Sequence, residues 1–400
     1  MRVLDAAPPR IPVMTFHSVG DEPLPFDLRH LTTTPALFER ILEWLNRREF
    51  HSLTLRQLSD HLRLGEPVPR RSVVLAFDDG YLDNWVFVHP LLERHGHRGV
   101  IFVSGEFVQD DDSMRPTLHD VWEGGVARSE LKSLGYCSWA ELRSMSAAGT
   151  LEVQSHLMTH TWYPVSDEIV GFNNPLAPSY QEFWNAAPAR KPFWLDAPRD
   201  ELASVVPWGA PIFASARSHL APRCTPDPHL TEALADYVTD RGGEAFFERP
   251  DWEIELRGVA SDLVTAPPVY ESAAEYLERL DWECAESRRV IEEHLPDRSV
   301  DFTAWPGGDW TETAQEVALR HYEATLTTGS TVTVRGEDPS LIKRSFFAQR
   351  SFEVMGSDLP SLVHFIGRLQ RHRGHWPYAA HTFVANRVME IGARLRGRTP

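Results

Sequence analysis

The run Val74-Leu-Ala-Phe-Asp78-Asp79-Gly80-Tyr81 closes an apolar stretch with two adjacent carboxylates and no basic residue beside them. Like charges so placed resist ionising together, and one metal ion against them would remove the conflict. Further on, Ser155-His156-Leu-Met-Thr-His160 sets two imidazoles four residues apart, a spacing that lets both reach one ion if the chain turns helically. Each motif has an ordinary reading as well. Asp and Gly are common turn residues, so Phe-Asp-Asp-Gly also suits the end of a strand, and among 18 histidines an i, i+4 pair arises by chance. Both motifs, however, follow apolar strand-like runs at their C-terminal ends, and a third polar turn, Trp305-Pro-Gly-Gly308, follows Phe302-Thr-Ala.

The elements that must position these residues alternate. Ile11 to Phe16 is predicted as a buried strand leading into His17-Ser-Val-Gly20. Thr34-Pro35 then opens a helix with apolar residues at Leu37, Phe38, Ile41, Leu42 and Leu45. A short helix from Thr54 to Leu62 precedes the strand Val73 to Phe77, and a helix from Asn84 to Arg94 precedes the strand Val100 to Val103. Ser138, with Glu141 three residues on, caps a helix to Ala148 before the strand Leu151 to Ser155. That βαβ rhythm predicts a parallel sheet whose strand C-termini carry function. It breaks after His160: residues 161–228 hold 11 of the 30 prolines together with Trp162, Trp184, Trp194 and Trp208, and suggest a loop-rich insertion ordered by aromatics. It resumes with a helix over Ser272 to His294, a strand over Val300 to Trp305 and a helix over Thr311 to His321.

Composition narrows the class. A chain of 400 residues, 42% hydrophobic, has ample material for a sizeable core. Its net charge of −17 disfavours nucleic acid as a partner, because phosphate binding needs a basic face. The three cysteines, Cys137, Cys224 and Cys284, are far apart and suggest neither a disulfide framework nor a thiolate metal site. With no apolar run of signal length and none approaching a membrane span, a reducing cytoplasm is the expected compartment.

Together these motifs resemble the polysaccharide deacetylase (NodB-type) family of carbohydrate esterases, over roughly residues 11–160 and 270–350. The opening Met14-Thr-Phe-His17-Ser-Val resembles the subgroup that includes poly-N-acetylglucosamine deacetylases. The resemblance implies an α/β fold, a distorted (β/α) barrel of the NodB type over 11–350, interrupted by a loop-rich insertion at 161–270 and followed by a basic helical tail at 351–400. It implies one divalent ion, Zn²⁺ expected and Co, Ni or Mn as alternatives, held by Asp79, His156 and His160. Asp78 would be the general base, His17 the acid that protonates the leaving amine, and the Gly307 N–H a donor to the oxyanion. Tyr81, Trp305 and Trp162 are the expected substrate contacts. The third motif departs from the family pattern: Ala304 stands where an Arg commonly pairs with the base, Gly307 stands where an aromatic is usual, and the late Leu-x-His motif is missing. Arg344 is the replacement partner proposed for Asp78. His17 has a plainer reading too, as a cap on a buried strand.

The activity implied is hydrolysis of a carbon–nitrogen bond other than a peptide bond, removing an acetyl or formyl group from an amino sugar in a glycan or glycan precursor. Two alternatives stand beside it: a non-catalytic barrel whose Trp162, Trp194 and Trp208 stack on sugar, and a hydrolase of small non-sugar amides. A cytoplasmic setting favours a nucleotide- or lipid-linked sugar over an extracellular polymer. Residues 341–400 carry 10 Lys and Arg against 3 Asp and Glu. Their Arg residues alternate with apolar ones, a pattern that fits a helix docked on the barrel or one lying on an anionic membrane face.

Overall fold

Residues two apart along a strand face the same way, and in this chain that rule builds a barrel. The computed structural model describes residues 9–197, 199–347 and 358–375. Its main sheet runs through β1 (Val13–Phe16), β2 (Ser72–Phe77), β3 (Gly99–Val103), β4 (Leu151–Ser155), β5 (Phe302–Ala304), β6 (Ala324–Thr328) and β7 (Leu341–Phe346). Each is parallel to the next, and β1 pairs with both β2 and β7, which closes the barrel in chain order. A two-residue strand, His51–Ser52, lies along β2. This is the (β/α) barrel that the motifs imply.

Alternation divides the strands into an inner and an outer set. Val13, Val74, Ala76, Val100, Phe102, Ala304, Leu326 and Ile342 form one buried inner cluster. The intervening residues face the helices. Phe16 and Phe77 meet Phe38 of helix α1 (Pro35–Arg47) at ring-centroid distances of 5.4 Å and 5.6 Å. Burying each such ring is worth about 1.5–3 kcal/mol. Parity continues past the last strand residue, so His17, Asp78 and Arg344 fall on the inner side.

Caps fix the helix starts where the sequence places them. The Thr34 hydroxyl accepts from the Leu37 amide, and α2 (Leu55–Leu64) begins with a reciprocal pair between Thr54 and Gln57. Ser138 and Glu141 do the same for α3 (Trp139–Ala148). Each cap contributes about 1 kcal/mol. The helix expected over 84–94 is two pieces, a π-helical turn Asn84–Val88 and an α-helix His89–His95. The helix expected over Thr311 to His321 is Glu312–Ala318, shorter than its pattern suggests.

Residues 158–286 with 310–318 form a compact unit of their own, and the boundary falls within the long helix α4 (Ala273–His294). This second unit contains an antiparallel hairpin of Trp162–Phe172 with Pro211–Arg217 and helices that include Pro228–Asp240 and Trp252–Leu263. Thus the segment without periodicity holds regular elements as well as loops. Its core gathers Phe172, Phe213, Leu230, Leu234, Phe246 and Leu256, while Trp184, Trp194 and Tyr180 pack on one another.

The C-terminal tail begins as helix α5 (Leu359–His372). Its apolar stripe, Leu362, Phe365 and Leu369, is buried, with Phe365 against Phe16 and Phe347. This corrects the membrane-facing expectation for these residues, because a stripe already spent on protein cannot also enter a bilayer. Residues 376–400, on which the rest of that expectation falls, lie outside the described residues. Among the described residues no helix is long and apolar enough to cross a membrane. The three cysteines are free and buried.

The loop after β1 is pinned by the residues that follow the carboxylate pair. The Ser18 hydroxyl donates to Asp83 at 2.5 Å, and the Asn84 side-chain amide donates to the His17 carbonyl at 3.2 Å. Burial pushes the Asp83 carboxyl up to about 7, from an ordinary value of 3.8, despite hydrogen bonds from Ser18, Val19 and Asn84. A carboxyl raised in the folded state contributes stability that is complete below its unfolded value and lost as pH rises through its folded one. Asp83→Asn removes that loss. Its melting temperature relative to wild type should therefore rise by a few degrees between pH 5 and pH 8, and a difference independent of pH would show that Asp83 does not titrate in this window.

Candidate metal centre

The two sequence motifs occupy strained backbone. Among the described residues, four non-glycine positions have positive φ, and three of them are Asp79 (+73°), Leu157 (+63°) and His160 (+45°). Such conformations cost about 1–3 kcal/mol each for a residue with a Cβ, so the surrounding structure has to hold them. Asp79 turns the chain out of β2 with Gly80 (φ +76°) behind it, and Leu157 does the same beyond β4.

One ligand atom from each of Asp79, His156 and His160 lies within 4.8 Å of the others. His156 Nε2 is 3.3 Å from Asp79 Oδ1, and its Nδ1 is 2.8 Å from the Ala304 carbonyl. A carbonyl only accepts, so the ring proton sits on Nδ1 and the Nε2 lone pair is left for an ion. Two imidazoles and a carboxylate at this spacing fit a divalent ion that keeps open positions. The Tyr81 hydroxyl hydrogen-bonds Asp79, and burial pushes its pKa well up.

Asp78 lies beside this group, 3% exposed, with its amide donating to the Phe16 carbonyl at 3.0 Å. Arg344, 1% exposed on β7, donates to Asp78 Oδ1 at 2.6 Å. The partner expected at Ala304 is thus supplied from a different strand. The Arg344 guanidinium also lies over the Phe102 ring, 5.4 Å from its centroid. On the other carboxylate oxygen, His17 Nε2 stands 3.9 Å from Asp78 Oδ2, beyond hydrogen-bond reach. Burial lowers the His17 pKa against the upward pull of the Asp79 and Asp78 charges.

Other expected residues are placed as follows. Gly307 sits in the turn Pro306–Gly308 with φ +67°. Gly308 after it has no room for a side chain, since a Cβ would fall 2.1 Å from the Thr328 hydroxyl oxygen. Trp305 is 1% and Tyr81 3% exposed, and Tyr81 stacks on Tyr136, so neither presents a free face to a sugar ring. In the second unit, the Arg217 guanidinium covers the Trp162 ring at 4.7 Å.

Three contributions escaped the sequence. The Ala304 carbonyl acts through backbone, which residue type does not reveal. Asp83 and Asn84 follow the carboxylate motif directly, and that adjacency was the available signal. Glu283, within the second unit, accepts from the Met158 and Thr159 amides at 3.1 Å and 2.9 Å and from the Thr159 hydroxyl at 2.5 Å. It fixes the backbone between the two histidines, and nothing in its local sequence marks it.

Residues 65–191 match the family model described as Polysaccharide deacetylase. A Bacillus subtilis (strain 168) protein, YxkH, whose name describes it as a polysaccharide deacetylase, is 27% identical over 101 residues, 25% of this chain and 34% of its own length. The poly-beta-1,6-N-acetyl-D-glucosamine N-deacetylase of Escherichia coli (strain K12) is 25% identical over 150 residues, 37% of this chain and 20% of its own. The chain therefore spans about a third of one relative and a fifth of the other. The solved structure of a de-N-acetylase from Aggregatibacter actinomycetemcomitans shares the fold, with a TM-score of 0.50 at 16% identity, covering 84% of this chain and 94% of that one. Residues 65–191 of this chain are thus similar to polysaccharide deacetylase family domains.

Proposed function

We propose that the protein is a metal-dependent hydrolase that removes an N-acyl group from an amino sugar of a glycan, with N-acetylglucosamine units as the substrate. The observation that carries this reading is the buried Asp78, held by Arg344 at 2.6 Å and adjacent in sequence to a ligand of the Asp79, His156 and His160 triad. The names of the E. coli and B. subtilis relatives support the substrate class.

An ion in that triad, Zn²⁺ by the chemistry of its donors, supplies Lewis acidity toward an amide carbonyl and lowers the pKa of water. The chain's own residues do the rest. Arg344 holds one oxygen of Asp78, which leaves the other to take a proton from the attacking water. His17, on the same rim with its Nε2 3.9 Å from that oxygen, is the group that protonates the leaving nitrogen. Its lowered pKa makes the protonated ring a stronger acid. The Gly307 N–H donates to the oxygen that becomes negative. A panel of N-acetyl and N-formyl sugars, polymeric, nucleotide-linked and lipid-linked, separates the acyl group and carrier by which member releases acid.

Removal of Asp79 or His156 should take away metal and activity together. Metal analysis of Asp79→Asn and His156→Ala checks this, and a fully active variant with an unchanged metal content would sink the triad. Asp78→Asn should keep the ion and lose kcat by about 10² to 10⁴, the usual worth of a positioned base; turnover at the wild-type rate would put the base elsewhere. For His17→Ala the informative comparison is between leaving groups. An amide should suffer far more than an activated aryl ester, which needs no acid, and equal losses on both would leave His17 a structural role only.

A further inference from the structure

A second group of potential ligands lies apart from the Asp79 triad: His89, Glu93 and His119. We propose that these three residues form a second divalent-cation site, one that joins the helix His89–His95 to the short helix Leu118–Trp122. The inference does not rest on the proposed hydrolysis.

His89 and Glu93 are four apart on one helix and so share a face, and His119 comes from the other. One ligand atom from each lies within 4.8 Å of the others. The His89 ring is anchored through one nitrogen. Its Nδ1 is 2.7 Å from the Thr150 hydroxyl, and that hydroxyl gives its single hydrogen to the Met145 carbonyl at 3.2 Å. With its hydrogen so placed, Thr150 accepts from His89 Nδ1–H, the tautomer that leaves the lone pair on Nε2 for an ion. This is the arrangement that a metal-binding histidine requires, and His156 obtains it from the Ala304 carbonyl.

Across the site, His119 Nε2 is 2.8 Å from Glu93 Oε2, yet this buried nitrogen makes no well-directed hydrogen bond among the described residues. The pair therefore brings a nitrogen and a carboxylate oxygen together within reach of one ion. Both rings are also braced. Trp85 stacks on His89 at 5.1 Å with the planes 10° apart, and Trp122 meets His119 edge-on at 5.4 Å. The Glu93 side chain is 52% exposed, which opens the fourth position to water. Two imidazoles and a carboxylate select a borderline ion such as Zn²⁺ over Ca²⁺ or Mg²⁺.

The test is Zn²⁺ titration of the full chain by calorimetry, with Co²⁺ absorption as a second probe. Wild type should bind about two equivalents and the Asp79→Asn, His156→Ala variant about one. In that variant background, Glu93→Gln or His119→Ala should abolish the remaining binding and the rise in melting temperature that Zn²⁺ produces. Glu93 is exposed, so its substitution leaves the fold intact. If the Asp79→Asn, His156→Ala protein is folded but takes up no Zn²⁺, or if its Zn²⁺ survives both further substitutions, the second site is overturned. Failure of the Asp79 triad would look different, as metal uptake unchanged by Asp79→Asn, His156→Ala and reduced by Glu93→Gln.

Discussion

Closure of the barrel through β1 is the constraint from which the chemistry follows. Phe16 pairs with Phe77 on one side and Thr15 with Phe346 on the other, so a four-residue strand holds the two ends of the sheet together. Parallel strands all point their C-termini to one end, and the period of two then decides which residues face inward there. Asp78 is two past Ala76, His17 is two past Thr15, and Arg344 is two past Ile342. Three residues separated by up to 327 positions in the chain (344 − 17) thus meet at a single rim.

Burying Arg344 and Asp78 there carries a large desolvation cost, which their pairing offsets only because the geometry is close. Removing one partner of such a pair typically costs about 3–5 kcal/mol, since the other charge is left buried alone. Stability does not require this arrangement. A better-packed apolar pair would serve the core equally well, so the pair fits a catalytic requirement more than a structural one. The left-handed residues Asp79 and Leu157 point the same way, being local strain tolerated where side chains are aimed at a site. The π-helical turn at Asn84–Val88 belongs with them, as it carries the Asn84 amide to the His17 carbonyl.

Much of the scaffold is legible in the sequence because its signals are local. Thr34-Pro35, Thr54 with Gln57, and Ser138 with Glu141 each mark a helix start by chemistry confined to four residues, and all three helices begin there. The apolar runs of β2, β3 and β4 are readable because strands buried on both faces need no alternation. The strand β7 carries no such signal, for the opposite reason. Leu-Ile-Lys-Arg-Ser-Phe places a charge on its inner face, so its pattern resembles a polar surface segment until Asp78 is seen to be the partner. The second unit looks loop-rich in sequence because its hairpin is interrupted by register shifts at Ile169, and these erase the period on which a strand signal depends.

Sequence by itself determined the ligand types, the adjacent carboxylates and the order of strands and helices, since each depends on residues close together in the chain. It also singled out Arg344 as the partner of Asp78, by its place in a family pattern and not by any physical rule. Only the tertiary structure decided which atoms meet. The proton position on His156 follows from a carbonyl 148 residues away, and His89 is anchored by a hydroxyl 61 residues away. Backbone groups are identical in every residue, and a hydroxyl's direction is set by its other hydrogen bond, so neither leaves a mark in the one-dimensional order. The burial of Tyr81 and Trp305, expected as substrate contacts, is decided in the same way. An aromatic letter announces a large apolar face, and only packing decides whether that face meets solvent or, as here, the core.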